Sequence, residues 1–266
     1  MPEGDTVWLA ARRMHDALAG RSLTHTDFRV PQLATTDLTG REVSEVVSHG
    51  KHMLTRVRGD LTVHTHFEMD GSWHLYRPGT RWTGGPAWQV RIVLANDDWQ
   101  AVGYRMPVVE LLPTAEEHRI IGHIGPDLLG EWDHDEALRR LRSKPAREIG
   151  PALLDQRNLA GIGNLYKAET LFLSGVTPWT RVGDIDDLDA VVRRARKLMQ
   201  ANKNHWQQTT TGSLRPGADH WVFERSGRPC RRCGTRVASA VQPEPGRERY
   251  ERISYWCAQC QAGPGP

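Results

Sequence analysis

The sequence predicts an α+β multidomain protein: an antiparallel β-sandwich or barrel led by one helix, then a helical domain that ends in a metal-binding module. Three observations carry this prediction. Apolar residues recur at helical spacing before residue 20 and again after Pro113, the stretch between them reads as short strands broken by Gly, Pro, Asn and Asp, and two C-x2-C pairs lie near the end.

Asp5 or Thr6 is placed to cap a helix over about 6–19, whose apolar positions Val7, Ala10, Met14 and Leu18 share one face and whose stop is Gly20. From 22 to 112 the segments EVVSHGKHMLTRV, LTVHTHF, SWHLYRP, AWQVRIVLA and MPVVELL read as strands. Helical periodicity then returns, with Asp135 expected to cap EALRRLRSKP, followed by ALLDQ, LYKAETLFLSG and LDAVVRRARKLMQANKNHW. A linker is expected within 113–132.

Composition narrows the function classes. In 266 residues, 38% hydrophobic and 25% charged, no apolar run approaches bilayer length, so a membrane partner is not expected. The start, MPEGDTVW, lacks a basic stretch followed by an apolar region, which makes an intracellular, cytoplasmic location the expectation. Net charge is only +3, yet eight Arg fall between 225 and 252 against three Glu, a concentration that suits either a solvated surface or a nucleic-acid face.

Cys230, Cys233, Cys257 and Cys260 are the chain's four cysteines, with 23 residues between the pairs. Two such knuckles in a reducing compartment supply four thiolates to one tetrahedral Zn2+, and a site filled by protein ligands has no open position for a catalytic water, so the zinc is expected to be structural. The segment between the pairs can form two strands around a Pro/Gly turn and present Arg247, Arg249 and Arg252 to phosphates. Removal of Met1 would leave Pro2 as a free secondary amine, partly neutral near physiological pH and able to form a Schiff base. Glu3 follows it directly; taken alone, the pair can equally be a plain lead-in to the first helix. Gly161, Gly163 and Asn164 sit between two helical stretches, where backbone N–H groups and the Asn164 amide can hold a phosphate oxygen or simply allow close helix packing. Lys51 stands at the entry to a strand in HGKHML.

Together MPEG, HGKHML, LLDQ with GIGNLY and Glu169, and RPCRRCGT with YWCAQCQ resemble the Fpg/Nei family of formamidopyrimidine-DNA glycosylase and endonuclease VIII, over nearly the whole chain. The resemblance implies an N-terminal catalytic β-sandwich over 1–113, a helix-two-turns-helix domain over 127–214 and a zinc-finger hairpin over 215–263. It implies a bacterial, nucleoid-associated monomer that excises oxidised bases from damaged DNA, duplex or single-stranded, with DNA in the cleft between domains. By the same resemblance Pro2 attacks C1′ and Glu3 assists ring opening and proton transfers. Lys51, Asn164 and Arg252 hold phosphates around a flipped nucleotide, and Met69 enters the vacated space or else packs in the core. Two departures stand out. The 23-residue zinc-finger loop is longer than the family's, so Arg247 or Arg249 can share the part of Arg252, and MPEGD is closer to endonuclease VIII than to MPELPE, which points to oxidised pyrimidines. The rival readings are a DNA-binding protein with an inert Pro2, and zinc-dependent hydrolysis at a second site drawn from the twelve His.

Overall fold

A computed structural model describes residues 2–243 and 251–266; Arg247 and Arg249 lie outside the described residues. The chain divides into two compact units between His123 and Ile124.

The first unit begins with helix α1, Gly4–Leu18. Its start differs from expectation: neither Asp5 nor Thr6 caps it, because the chain enters through Glu3 in an extended conformation and the Asp5 carboxylate instead accepts the adjacent Thr6 N–H at 2.9 Å. The strands are β1 (Arg21–Ser22), β2 (His25–Phe28), β3 (Glu42–His49), β4 (His52–Val57), β5 (Leu61–His66), β6 (Ser72–Tyr76), β7 (Val90–Ala95), β8 (Gln100–Tyr104) and β9 (Val108–Pro113). They form two antiparallel sheets, β1-β3-β4-β5-β9 and β2-β7-β8-β6, so the fold is the sandwich. Strand side chains alternate between faces, and one face of each sheet supplies the core: Val46, Met53, Val63 and Val109 from the first, Phe28, Ile92, Leu94 and Ala101 from the second. Val7, Ala10, Ala11, Met14 and Leu18 of α1 complete it. Two polar bonds lock the helix in place: His15 Nδ1 accepts the Val46 N–H at 3.2 Å, next to a bulge in β3, and Asn96 donates to the Ala17 carbonyl at 3.0 Å. A short helix α2, His118–Ile121, follows β9.

The second unit contains α3 (His134–Arg142), α4 (Ile149–Leu154), α5 (Asn164–Ser174), α6 (Leu188–Asn202) and a hairpin of β10 (Ala238–Gln242) and β11 (Arg252–Trp256). The cap of α3 is Asp133, whose carboxylate accepts the Glu136 N–H at 2.9 Å; Asp135 lies within the first turn, where its charge favours the helix dipole. Helix α5 is buried through most of its length and packs against both α6 and β11. No helix among the described residues is long and apolar enough to cross a membrane.

Candidate functional site

Pro2 is partly exposed and leads straight into α1, while Glu3 is only 1% exposed. The Glu3 carbonyl already accepts the Val7 N–H at 3.1 Å, so the backbone one residue beyond Pro2 belongs to the helix. A buried carboxylate beside the helix N-terminus is thus held next to Pro2 by a helix whose other face is fixed in the core.

Lys51 sits in the two-residue turn joining β3 and β4, where Gly50 takes the left-handed conformation at φ 57 that a tight hairpin requires. The residues around it were not anticipated. His52, His64 and Glu110 lie on the face of the first sheet turned away from the sandwich core. There a chain of bonds crosses three strands: Glu110 Oε2 lies 2.9 Å from His64 Nδ1, and His64 Nε2 lies 3.0 Å from His52 Nδ1. With the carboxylate accepting from Nδ1 of His64, its Nε2 accepts in turn from His52. His66, the cross-strand partner of His52, packs edge-on to it at 4.8 Å and takes the Glu68 N–H on its Nδ1 at 3.1 Å, which leaves the His66 proton on Nε2. Burial, and then neighbouring His66, His64, His49 and His123, push His52 down to about 3; burial, and then the Lys51 charge and His64, push His66 down to about 4. His52 and His66 are therefore neutral at physiological pH. The sequence did hold a signal for this: HTH in β5 puts two histidines on one face, facing that of β4.

Met69 is 56% exposed on the turn between β5 and β6, so core packing is excluded for it. The turn is tightly held: Gly71 donates to the Phe67 carbonyl at 2.8 Å, Arg105 Nε donates to the Asp70 carbonyl at 3.2 Å, and Glu68 is forced to φ 46.

In the second unit the turn between α4 and α5 is organised by Gln156, which accepts the Gly161 N–H at 2.9 Å and donates to the Ile162 carbonyl at 3.0 Å. Asn164 opens α5. Its amide donates to the Ile253 carbonyl of β11 at 3.0 Å, while its Oδ1 is buried with no hydrogen-bond partner among the described residues. One turn further on, Lys167 is fully buried and donates to Ser254 at 2.8 Å. Ser254 donates to Gln242 at 2.7 Å, and Gln242 donates to Glu148 at 2.7 Å and to the Pro178 carbonyl at 3.0 Å. This line of polar contacts ties the hairpin to α4 and α5, and no local pattern in the sequence marks it. Glu169 is spent structurally, accepting the N–H groups of Trp221, Val222 and Phe223, each at 2.8 Å. Arg252, at the start of β11, is exposed and makes no ion pair among the described residues.

The four cysteine sulfurs lie within 4.8 Å of one another, with Cys230 to Cys260 at 3.9 Å and Cys233 to Cys257 at 3.4 Å. Tetrahedral thiolates around a metal at about 2.3 Å stand roughly 3.8 Å apart, so the set fits one such ion. The cluster packs on Ala168 and Phe172 of α5, and Gln261 clamps it by accepting the Cys257 N–H at 2.9 Å and donating to the Val176 carbonyl at 2.7 Å.

Residues 1–105 match the formamidopyrimidine-DNA glycosylase N-terminal domain, and 124–211 match the formamidopyrimidine-DNA glycosylase H2TH domain. The chain is 58% identical to a probable endonuclease 8 2 of Streptomyces coelicolor, covering 100% of this chain and 96% of that protein. It is 41% identical to the DNA-(apurinic or apyrimidinic site) lyase Nei2 of Mycolicibacterium smegmatis, covering 98% and 99%. The fold matches a Lactococcus lactis formamidopyrimidine-DNA glycosylase, crystallised non-covalently bound to DNA containing an abasic site, with a TM-score of 0.77 at 20% identity over 98% of this chain and 100% of that one. The chain therefore belongs to the formamidopyrimidine-DNA glycosylase family, on its endonuclease VIII branch.

Proposed function

We propose that the chain is a bifunctional DNA glycosylase and abasic-site lyase of base excision repair, acting as a monomer on oxidised pyrimidines in duplex or single-stranded DNA, in the cell compartment that holds the chromosome. The observation that carries this reading is the pairing of Pro2 with the buried Glu3 at the start of a helix fixed in the core. After Met1 is removed, the lone pair of the Pro2 amine forms a bond to C1′ of the damaged nucleotide. The C1′–N bond breaks, the base departs with those electrons and a proton, and Glu3 protonates O4′ as the sugar opens. The resulting iminium draws electrons from C2′, so loss of a C2′ proton expels the 3′ phosphate and cuts the strand. Water then hydrolyses the iminium and returns the Pro2 amine.

Lys51, Asn164 and Arg252 act by holding phosphates, a task that needs position more than chemistry. Asn164 uses one N–H on Ile253 and has a second to offer. Met69, exposed on a constrained turn, is suited to fill the space left by the extruded nucleotide. Cys230, Cys233, Cys257 and Cys260 would hold one Zn2+, which cross-links the hairpin base and leaves the reaction to Pro2 and Glu3.

The deciding experiment is mass analysis of the N-terminus followed by borohydride reduction during turnover on DNA with an abasic site. A covalent adduct mapped to Pro2, absent when Met1 is retained, is the expected result. An unchanged adduct in Met1-retaining protein would overturn the assignment of Pro2, and binding with no adduct at all would favour a DNA-binding protein without catalysis.

A further inference from the structure

Helix α6 has two faces of different character. Leu188, Val191, Val192, Ala195 and Met199 form the buried face, on the side of α5. Arg193, Arg196, Lys197 and Gln200 recur at helical spacing on the opposite side and, with Trp132 and His134, line a cavity of about 450 Å³.

The charges in this cavity are unevenly matched. Asp189 is engaged by both Arg193 and His134. Arg196 and Lys197 have no carboxylate partner among the described residues, and Arg196 Nε is buried with no hydrogen-bond partner there. Its guanidinium stands 5.5 Å from the centre of the Trp132 ring. A pocket with two uncompensated cations beside an indole fits a ligand that carries both carboxylates and an apolar side chain.

Nucleic acid fits less well. Within this unit α5 separates α6 from the hairpin, and the lining residues lie on the α6 face away from α5, whereas Asn164 and Arg252 belong to α5 and the hairpin.

We propose that this cavity docks an acidic peptide segment of a partner protein, with carboxylates paired to Arg196 and Lys197 and an apolar side chain against Trp132. The site is independent of the catalytic reading.

The test uses the full chain and a fluorescein-labelled peptide of alternating Asp and Phe, with a peptide of alternating Ser and Phe as the uncharged control and a short single-stranded oligonucleotide as competitor. The acidic peptide should bind saturably and the Ser peptide should not. Lys197→Glu, at an exposed position where folding should survive, and Arg196→Gln should each weaken binding about tenfold or more. Lys144→Glu, at an exposed cation outside the cavity, should leave it unchanged, and abasic-site cleavage should be the same in all three variants. No saturable binding up to about 1 mM, or equal loss in Lys144→Glu, would overturn the proposal. So would displacement of the peptide by the oligonucleotide with loss of oligonucleotide binding in Lys197→Glu, since that pattern assigns the cavity to nucleic acid.

Discussion

The histidines beside Lys51 carry a measurable cost in acid. His52 and His66 have folded pKa values of about 3 and about 4, below the ordinary 6.5, so the unfolded chain takes up protons that the folded chain refuses. Their contribution is complete above pH 6.5 and is lost as the pH falls toward 4, at about 1.4 kcal/mol per pH unit for each histidine. Urea unfolding at pH 7, 6 and 5 should show this slope, and His52→Gln should flatten it by about the share of one histidine; an unchanged slope would mean that His52 is not held neutral. A second expectation concerns the phosphate contacts. Arg252→Ala should lower the salt dependence of duplex binding by about one unit of slope, whereas Asn164→Ala should weaken binding with little change in slope. If Arg252→Ala behaves as wild type while Arg249→Ala shows the defect, the longer loop has moved the contact. The four cysteines, whose spacing is a chemical signature, were legible in the sequence as one cluster, whereas Pro2 and Glu3 stand out only through the family resemblance. Lys167 was not legible, because its partner Ser254 is 87 residues away and nothing local distinguishes a buried lysine from a solvated one.

Elements were legible where periodicity was strong, and less so at their ends. The helix over Gly4–Leu18 follows from apolar spacing, and the expected pair of strands between the cysteine pairs is found as β10 and β11, yet two caps were misplaced. In α1 the extended backbone at Glu3 decides where the helix begins, and in α3 the carboxylate two residues earlier reaches the exposed N–H group first. The turn between β5 and β6 gives the clearest prediction at this scale. A Cβ on Gly71 would stand 2.7 Å from both the Phe67 Cα and its carbonyl oxygen, so Gly71→Ala must open the turn that presents Met69. The expected cost is about 1–3 kcal/mol of stability. Excision of an intact damaged base should fall more than cleavage at a preformed abasic site. Met69→Ala should reproduce that activity difference without the drop in melting temperature; equal loss on both substrates would remove Met69 from the proposed role.

For the molecule as a whole, the switch from strand to helix periodicity announced two bodies, and the division between His123 and Ile124 falls in the short stretch between them. What periodicity could not convey is how the cysteine module is braced, since Lys167, Ser254, Gln242 and Glu148 meet only in the folded second unit. Metal removal should therefore be felt unequally. After chelation, or in Cys257→Ser, hydrogen exchange should quicken from Cys230 to Gln261 and in the half of α5 that bears Phe172, while β3–β5 keep their protection. Uniform loss across both units would contradict this. A different consequence follows from the way Pro2 joins α1. A nucleophile carried on a side chain can be re-aimed by a change of rotamer, but an imino nitrogen in the main chain has no such freedom. For Pro2 in the proposed reaction, that aim would be set by Val7, Ala11 and Met14, which fix the helix in the core. In a saturation scan, then, tolerance along this helix should track volume and not polarity, and an innocuous-looking methyl group added at Ala11 should read as an active-site lesion.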